Sequence, residues 1–242
     1  MSTHGWQERT ELLMGKEALR KLASSHVLVV GLGGVGGILA EMLARAGIGE
    51  MTIIDGDQVQ STNRNRQVIA FTSTEGKDKA VIMEQRLKDI NPEITIHSHV
   101  EFLRDERMDE ILEPKYDYVA DAIDTLSPKV FLIKKTYEKG YPLVSSMGSG
   151  GKFDPTRVEI TDISKSYNDR FAHAIRKQLH RLGIYEGFKV VFSPEKVNPE
   201  AVVEVEGEQN RKSHVGTISY MPSAFGLAMA SVVVRELIDH GP

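Results

Sequence analysis

The stretch VLVVGLGGVGG, Val27 to Gly37, joins an apolar run directly to a cluster of glycines. The apolar run is typical of a strand that is buried on both faces of a parallel sheet. The glycines are Gly31, Gly33, Gly34 and Gly36. After a strand and before a helix, such glycines let main-chain N–H groups approach a phosphate at the positive end of the helix. The stretch therefore predicts a nucleotide-binding fold, although a glycine-rich turn can also serve only to pack a helix closely on a strand.

Short apolar runs alternate with helical patterns on both sides of this stretch. Further strands are predicted within IGEMTIIDGD, YDYVADAID and YPLVSSMG, and across Ile94, Ile96 and Val100. Helices are predicted near 38–46, 77–90 and 129–139. Strands that alternate with helices are typical of a parallel sheet covered on both faces. The fold class is therefore predicted to be α/β, with a doubly wound, mostly parallel Rossmann-like sheet.

The chain divides into three predicted regions of one globular unit. Residues 1–25 form a charged N-terminal helical arm, residues 26–148 form the Rossmann-like core, and residues 149–242 form a C-terminal extension. Within the extension, helices are expected near 169–182 and 223–238, and a mobile loop is expected between 193 and 214, where prolines and charges are frequent. The small residues of the last helix suggest close packing against a neighbour.

Composition excludes several kinds of chemistry. The chain has 242 residues and no cysteine, which excludes disulfides, thiolate-bound zinc and a cysteine nucleophile. The net charge is -4, so contact with nucleic acid would have to come from a local patch. No apolar segment approaches the roughly 20 residues of a membrane span, and a soluble, cytoplasmic protein is expected. The eight histidines show no metal-ligand spacing, and surface or core roles are expected for them.

A carboxylate follows the second predicted strand at the distance that nucleotide recognition requires. Asp55 lies 19 residues beyond Gly36, where it can accept hydrogen bonds from ribose hydroxyls. This arrangement suits both NAD and ATP. The polar residues after it favour ATP, because a triphosphate needs more cationic partners than a dinucleotide does. These residues are Asp57, Asn63, Arg66, Gln67 and Lys79.

The predicted roles of these side chains follow from their chemistry. The planar guanidinium of Arg66 can bind phosphate oxygens, and Lys79 can add a point charge. Asp124 ends the strand in YVADAID, where it would lie at the carboxyl edge of the sheet and could hold Mg²⁺. Taken singly, Arg66 and Lys79 are also compatible with solvated surface charges, and Asp124 with a helix cap. Together they predict an ATP site.

The motifs GLGGVG, IIDGDQV, TNRNRQ, GKDKA and DAID resemble, in this order, the ATP-adenylating superfamily of ubiquitin-activating enzymes and bacterial sulfur-carrier activators. The resemblance implies that Asp55 binds ribose and that Asn63, Arg66 and Lys79 surround the phosphates. It further implies that Asp124 binds magnesium near the reacting carboxylate. Arg9 is similar to an N-terminal arginine that reaches the ATP of a partner subunit, which implies a homodimer.

The C-terminal motifs SSMGSGGKFDPTRVEITDISKS and YMPSAFGLAMASVVV resemble the tRNA threonylcarbamoyladenosine dehydratases. This resemblance implies ATP-dependent cyclisation of the threonylcarbamoyl group beside the anticodon, through a carboxyl-adenylate. The extension would then bind tRNA and support dimerisation. ATP and Mg²⁺ are the expected cofactors, and a monovalent cation is a further candidate. Proteins of the sulfur-transfer type are further candidate partners.

A basic helix is the candidate tRNA surface. Its predicted apolar stripe consists of Phe171, Ile175, Leu179 and Leu182. The cations that would contact phosphates are Arg170, Arg176, Lys177 and Arg181. A solvated amphipathic helix explains the same pattern. Two other functions remain open from the sequence: adenylation of the C-terminal carboxylate of a ubiquitin-like or sulfur-carrier protein, and non-catalytic nucleotide binding by an adaptor.

Overall fold

A computed structural model of the chain describes residues 5–204 and 213–239. The centre of the loop expected between 193 and 214 therefore lies outside the described residues. The strands are β1 (His26–Val30), β2 (Glu50–Ile54), β3 (Thr95–His99), β4 (Tyr118–Asp121), β5 (Leu143–Ser146), β6 (Glu159–Asp162), β7 (Lys189–Phe192), β8 (Val202–Glu204) and β9 (Ser213–Val215). The α-helices are α1 (Glu8–Ala23), α2 (Gly36–Ala46), α3 (Lys79–Ile90), α4 (Asp105–Ile111), α5 (Leu126–Glu138), α6 (Arg170–Arg181) and α7 (Tyr220–Leu237).

Seven strands form one sheet in the order β3-β2-β1-β4-β5-β7-β6. Every neighbouring pair is parallel except β6 and β7, which are antiparallel. The strand order reverses between β1 and β4, so the crevice outside their carboxyl ends is where a doubly wound fold binds ligands. The α/β, mostly parallel fold class is confirmed. Strands β8 and β9 form a separate two-stranded sheet.

Alternate side chains of the strands enter two apolar layers on opposite faces of the sheet. Val27 and Val29 pack with helices α1, α2, α3 and α7, whereas Leu28 and Val30 pack with α4, α5 and α6. All four side chains are buried, and each contributes roughly 1.5–3 kcal/mol of hydrophobic free energy. The continuous apolar run of β1 therefore reflects a strand that is covered on both faces.

Two helices differ from their expected form. Helix α1 is broken at Gly15, whose φ of 82° is a left-handed conformation that favours glycine. Helix α7 begins at Tyr220, and Gly226 packs closely within the chain: a Cβ there would lie 2.6 Å from the main-chain oxygen of Val35. The third strand is also shorter than expected, because Ile94 and Val100 lie just outside β3.

Candidate active site at the carboxyl edge of the sheet

The glycine loop runs from the end of β1 to the start of α2, and neither Gly31 nor Gly36 has room for a side chain. Gly31 has a φ of 89°, and a Cβ there would lie 2.8 Å from the main-chain oxygen of Ala122. A Cβ on Gly36 would lie 1.7 Å from the main-chain oxygen of Gly31. At Gly33 the nearest atom would be 3.8 Å away, so that position has room for a close-approaching ligand. The loop thus offers a cradle at a helix N-terminus.

Asp55 joins the end of β2 to the glycine loop. One carboxylate oxygen accepts the N–H of Leu32 at 2.7 Å, and the other accepts the N–H of Asp57 at 2.8 Å. Burial raises the pKa of Asp55, while Lys79 and the two main-chain donors oppose that shift. Each carboxylate oxygen can accept more than one hydrogen bond. Asp55 can therefore hold the loop and still accept hydrogen bonds from ribose hydroxyls.

Lys79 lies at the start of α3, close to Asp55 and Asp57. Its ammonium donates to the Asp57 carboxylate at 2.8 Å, and its main-chain N–H donates to the main-chain oxygen of Asp57 at 3.0 Å. The Lys79 side chain is only 5% exposed, whereas that of Asp57 is 50% exposed. The pair orients a buried cation whose counter-ion faces solvent, an arrangement suited to an incoming phosphate.

Two side chains of the polar segment after β2 differ in their hydrogen bonding. One stabilises a turn, and the other has a buried oxygen that accepts no hydrogen bond from the described residues. Asn63, at the end of a short 3-10 helix, accepts the N–H of Gln60 at 3.0 Å and so fixes the turn. Gln67 is buried with its amide nitrogen nearest to Gly33. Its amide oxygen accepts no hydrogen bond from the described residues. A buried acceptor beside the cradle is an observation that a bound nucleotide or its water would explain.

Arg66 and Asp124 lie on loops that border the cradle. The Arg66 guanidinium donates to the main-chain oxygen of Thr62 at 3.1 Å and to the Asn65 side chain at 2.9 Å, so it is held by its own loop. Its main-chain oxygen lies against Gly34. Asp124 is exposed between β4 and α5, which is the carboxyl edge where ligands bind in this fold.

A buried ion pair beneath that loop was not found from the sequence. Lys129 donates to Asp121 at 2.7 Å, and neither side chain is exposed. The same carboxylate accepts the hydroxyl of Ser145 at 2.7 Å and the N–H of Ile123 at 3.0 Å. Burial lowers the pKa of Lys129, and the carboxylates of Asp121 and Asp124 oppose this shift. The network orders the loop that carries Asp124; its only sequence signal was an aspartate inside a predicted buried strand.

Arg9 does not join this cluster within one chain. It is exposed in the first half of α1, two residues after Gln7. The Gln7 side chain lies beside Gly47, which caps the C-terminal end of α2. The glycine loop lies at the other end of α2, and a helix of 11 residues is about 16 Å long. A contribution of Arg9 to an ATP site would therefore have to come from another subunit.

Helix α6 corrects two expectations. Leu182 follows the helix and is 45% exposed, so the apolar stripe consists instead of Ala172, Ile175 and Leu179, with Phe171 partly buried. Arg176 donates to the main-chain oxygen of Ser166 at 2.8 Å and also to its hydroxyl. It therefore ties α6 to the preceding turn. Arg170, Lys177 and Arg181 are exposed.

The doubly wound sheet, the glycine cradle and the charged cluster at its carboxyl edge define a nucleotide-binding α/β protein. Residues 7–242 match the ThiF family, and the chain belongs to that family. This confirms the resemblance to the adenylating superfamily.

Individual relatives match nearly the whole chain. The tRNA threonylcarbamoyladenosine dehydratase of Bacillus subtilis is 39% identical over 237 residues, which is 95% of this chain and 93% of the relative. The crystal structure of the Escherichia coli enzyme, TcdA, in complex with ATP superposes with a TM-score of 0.89 at 34% identity, covering 99% of this chain and 97% of that one. The complex of the same enzyme with AMP gives a TM-score of 0.88 at 33% identity, covering 98% and 97% of the two chains. None of the helices within residues 5–204 and 213–239 combines the length and the hydropathy that a membrane span requires.

Proposed function

We propose that this protein is an ATP-dependent enzyme that dehydrates and cyclises N6-threonylcarbamoyladenosine in tRNA. The observation that carries the proposal is the cradle at the carboxyl edge of the sheet, in a chain that matches such dehydratases along nearly all its length. The match includes the extension over 149–242, which we propose as the tRNA-binding and dimerisation region. We propose residues 1–25 as the N-terminal arm and residues 26–148 as the core. A cytoplasmic location fits a tRNA substrate.

The glycine loop, Asp55 and Lys79 would bind the nucleotide. Main-chain N–H groups at the start of α2 approach the phosphates, and Asp55 accepts hydrogen bonds from the ribose. The Asp57 carboxylate accepts a hydrogen bond from the Lys79 ammonium at 2.8 Å and so fixes its position. A phosphate would compete with Asp57 for the ammonium of Lys79. The polar residues Asn63, Arg66 and Gln67 complete the nucleotide side. The amide nitrogen of Gln67 lies nearest to Gly33, and its buried amide oxygen accepts no hydrogen bond from the described residues.

The chemistry requires activation of a carboxylate, because a carboxylate does not expel hydroxide. Attack of the substrate carboxylate on the α-phosphate of ATP forms a carboxyl-adenylate and releases pyrophosphate. A nitrogen of the same threonylcarbamoyl group then attacks the acyl carbon, AMP leaves and the ring closes. Lys79 and Arg66 would stabilise the charge that develops in the first step. The second step is intramolecular, so proximity supplies much of its rate and no protein nucleophile is needed.

Asp124 would hold Mg²⁺ near the phosphates. The donor set fits this ion, because Asp124 and Asp57 both present exposed carboxylates at the same edge and Mg²⁺ prefers oxygen ligands with several waters retained. When bound, Mg²⁺ neutralises phosphate charge. A monovalent cation and partners of the sulfur-transfer type stay predictions.

A homodimer is supported by the first half of α1. Leu12 and Leu13 are 83% and 85% exposed, and a second subunit would remove this apolar surface from water. Both leucines lie within four residues of Arg9 on the segment that ends at Gly15. A partner that covers Leu12 and Leu13 would thus receive Arg9, which is the proposed route of this arginine to the neighbouring ATP.

The exposed cations of α6 are the proposed tRNA contacts. Arg170, Lys177 and Arg181 lie on the solvent side of the helix, where they can approach phosphates. Arg176 supports that surface indirectly, by fixing α6 to Ser166.

The decisive experiment is mass spectrometry of nucleosides from threonylcarbamoyl-modified tRNA after incubation with the protein, ATP and Mg²⁺. We expect a nucleoside one water lighter. Asp124→Asn should abolish it, whereas Asp89→Asn, at an exposed aspartate near the far end of α3, should not.

An unchanged nucleoside, with tRNA and ATP intact, would contradict the proposal. Pyrophosphate release on addition of a carrier protein ending in Gly-Gly would then identify carrier adenylation. ATP binding without turnover on either substrate would identify an adaptor.

A further inference from the structure

Three potential metal ligands meet at the amino-terminal edge of the sheet, opposite the glycine loop. His26 begins β1, Glu50 begins β2 and His97 lies in the middle of β3. The register pairs His26 with Glu50, and Thr52 with His97. Because side chains alternate along a strand, Glu50 and Thr52 point to the same face. The register therefore places His26, Glu50 and His97 on one face of three adjacent strands.

The ligand atoms are close enough to share one ion. A Glu50 carboxylate oxygen lies 2.8 Å from His97 Nε2 and 3.6 Å from His26 Nδ1. One nitrogen or oxygen from each of the three side chains lies within 4.8 Å of the others. A tetrahedral Zn²⁺ with bonds of about 2.0–2.2 Å separates its ligand atoms by about 3.4 Å. The distance from Glu50 to His97 is shorter than this ideal separation, and the distance from Glu50 to His26 is slightly longer.

The three side chains also differ in the freedom with which they could adjust. His26 is 14% exposed, while Glu50 and His97 are nearly half exposed. The Thr52 hydroxyl lies 2.9 Å from Nε2 of His26, and Nδ1 of the same ring lies 3.6 Å from Glu50. A partner on the second ring nitrogen of a histidine fixes the orientation of the ring for a metal. One anchored ligand and two adjustable ones can close on an ion without moving the strands.

We propose that His26, Glu50 and His97 bind one divalent transition-metal ion, Zn²⁺ by preference, and that water completes its coordination. Two imidazoles and one carboxylate favour Zn²⁺ over Mg²⁺, which prefers oxygen ligands alone. Three protein ligands leave a coordination position open to solvent.

This site is separate from the proposed Mg²⁺ position at Asp124. His26 lies five residues before Gly31, which corresponds to about 16 Å along the strand. The groups around His26 support it without joining the ligand set. Asp117 accepts the main-chain N–H of His26 at 2.8 Å, and the Tyr116 ring centroid lies 4.6 Å from the imidazole.

Titration calorimetry of the full chain with Zn²⁺, after removal of metal with a chelator, tests this site. We expect one equivalent of Zn²⁺ to bind. His97→Ala and Glu50→Gln should each weaken binding by about 100-fold or more, given that loss of mere supporting contacts costs about 10–100-fold. Both side chains are nearly half exposed, so these variants should fold, which circular dichroism will check. His173→Ala, at an exposed histidine of α6, is the matched control.

Two results would overturn the site. One is no Zn²⁺ binding by the unaltered chain. The other is binding that falls equally in His97→Ala and His173→Ala, which would point to scattered surface histidines. Binding that persists in Asp124→Asn and is lost in His97→Ala would support a site distinct from the nucleotide edge. The readout is direct binding, so the result is independent of whether the protein dehydrates tRNA.

Discussion

The two edges of the parallel sheet carry different kinds of site. At the carboxyl edge, strands end in loops, and residues close together in the sequence contact one another: Gly36 packs against Gly31, and Asp55 accepts the N–H of Asp57. At the amino-terminal edge, His26, Glu50 and His97 come from three strands and meet only through their register. Sites built from loops leave local motifs, whereas sites built across strands leave none. The comparison explains why the first site was predicted and the second was not.

Removing the buried cation beneath the carboxyl edge should have the largest effect. Lys129→Met leaves Asp121 buried without its counter-ion, and breaking such a pair costs about 3–5 kcal/mol. We expect the free energy of unfolding in urea to fall by this amount. Lys134→Met, on the same helix but paired with Glu138 near the surface, should cost less than about 1 kcal/mol. Equal losses in the two variants would show that the pair does not stabilise this edge.

Lys79 and Lys77 allow a comparison between a buried, paired lysine and an exposed lysine on the same segment. Lys79 is buried and paired with Asp57, and Lys77 is exposed two residues earlier. Lys79→Gln should lower kcat/KM for tRNA dehydration about 10²–10³-fold, because a positioned donor to developing charge is lost. Lys77→Gln should leave kcat/KM within about twofold. Steady-state kinetics with modified tRNA decide the matter, and similar values for both variants would remove Lys79 from the proposed machinery.

Gly36 and Gly33 are expected to have different roles in the same loop. Gly36 is required for packing, and Gly33 faces the ligand. Gly36→Ala would place a Cβ 1.7 Å from the Gly31 oxygen, and such overpacking costs about 1–3 kcal/mol of unfolding free energy. At Gly33 a Cβ meets only Gln67, 3.8 Å away. Gly33→Ala should therefore keep its stability and lose ATP affinity. Urea unfolding and ATP titration measure the two quantities. Equal destabilisation by Gly33→Ala and Gly36→Ala would contradict the division.

The amino-terminal edge should show the smallest effect, as a dependence of stability on pH. Burial lowers the pKa of His26 below its ordinary value of 6.5, with Glu50 and Asp117 opposing the shift and His97 adding to it. Below that value the unfolded chain binds more protons than the folded chain, so stability is lost as pH falls and is fully present above about 6.5. Urea unfolding with a chelator present, at acidic and neutral pH, should show a smaller pH dependence for His26→Gln than for the unaltered chain. The same dependence in both would contradict the assignment.

Much of the fold could be predicted because the hydrophobic pattern reports burial directly. The run at β1 alternates between two apolar layers, and the continuous pattern identified a strand covered on both faces. Errors arose where local pattern and packing diverge. Leu182 fitted the helical period of α6 but lies after the helix end, and it is exposed. Gly15 interrupts α1 in a segment whose composition is helical throughout.

The nucleotide cradle was predictable because its glycines and its first aspartate are neighbours in sequence or lie at a fixed spacing. The pairing of Lys129 with Asp121 was not, since either charge alone resembles an ordinary surface residue. Arg176 was placed with the exposed cations of α6, although it is committed to Ser166. Residue type does not reveal whether a charged group has a partner within the fold.

The sequence by itself determined the five strands β1 to β5 in chain order, the position of the cradle and the family, because each depends on chemistry within a short stretch of chain. Only the tertiary structure decided which side chains are buried, that Arg9 lies far from the cradle of its own chain, and that His26, Glu50 and His97 share one face. These features depend on strand order and register. A shift of one residue in register would move a whole set of side chains to the opposite face, and single-chain spacing does not encode that choice.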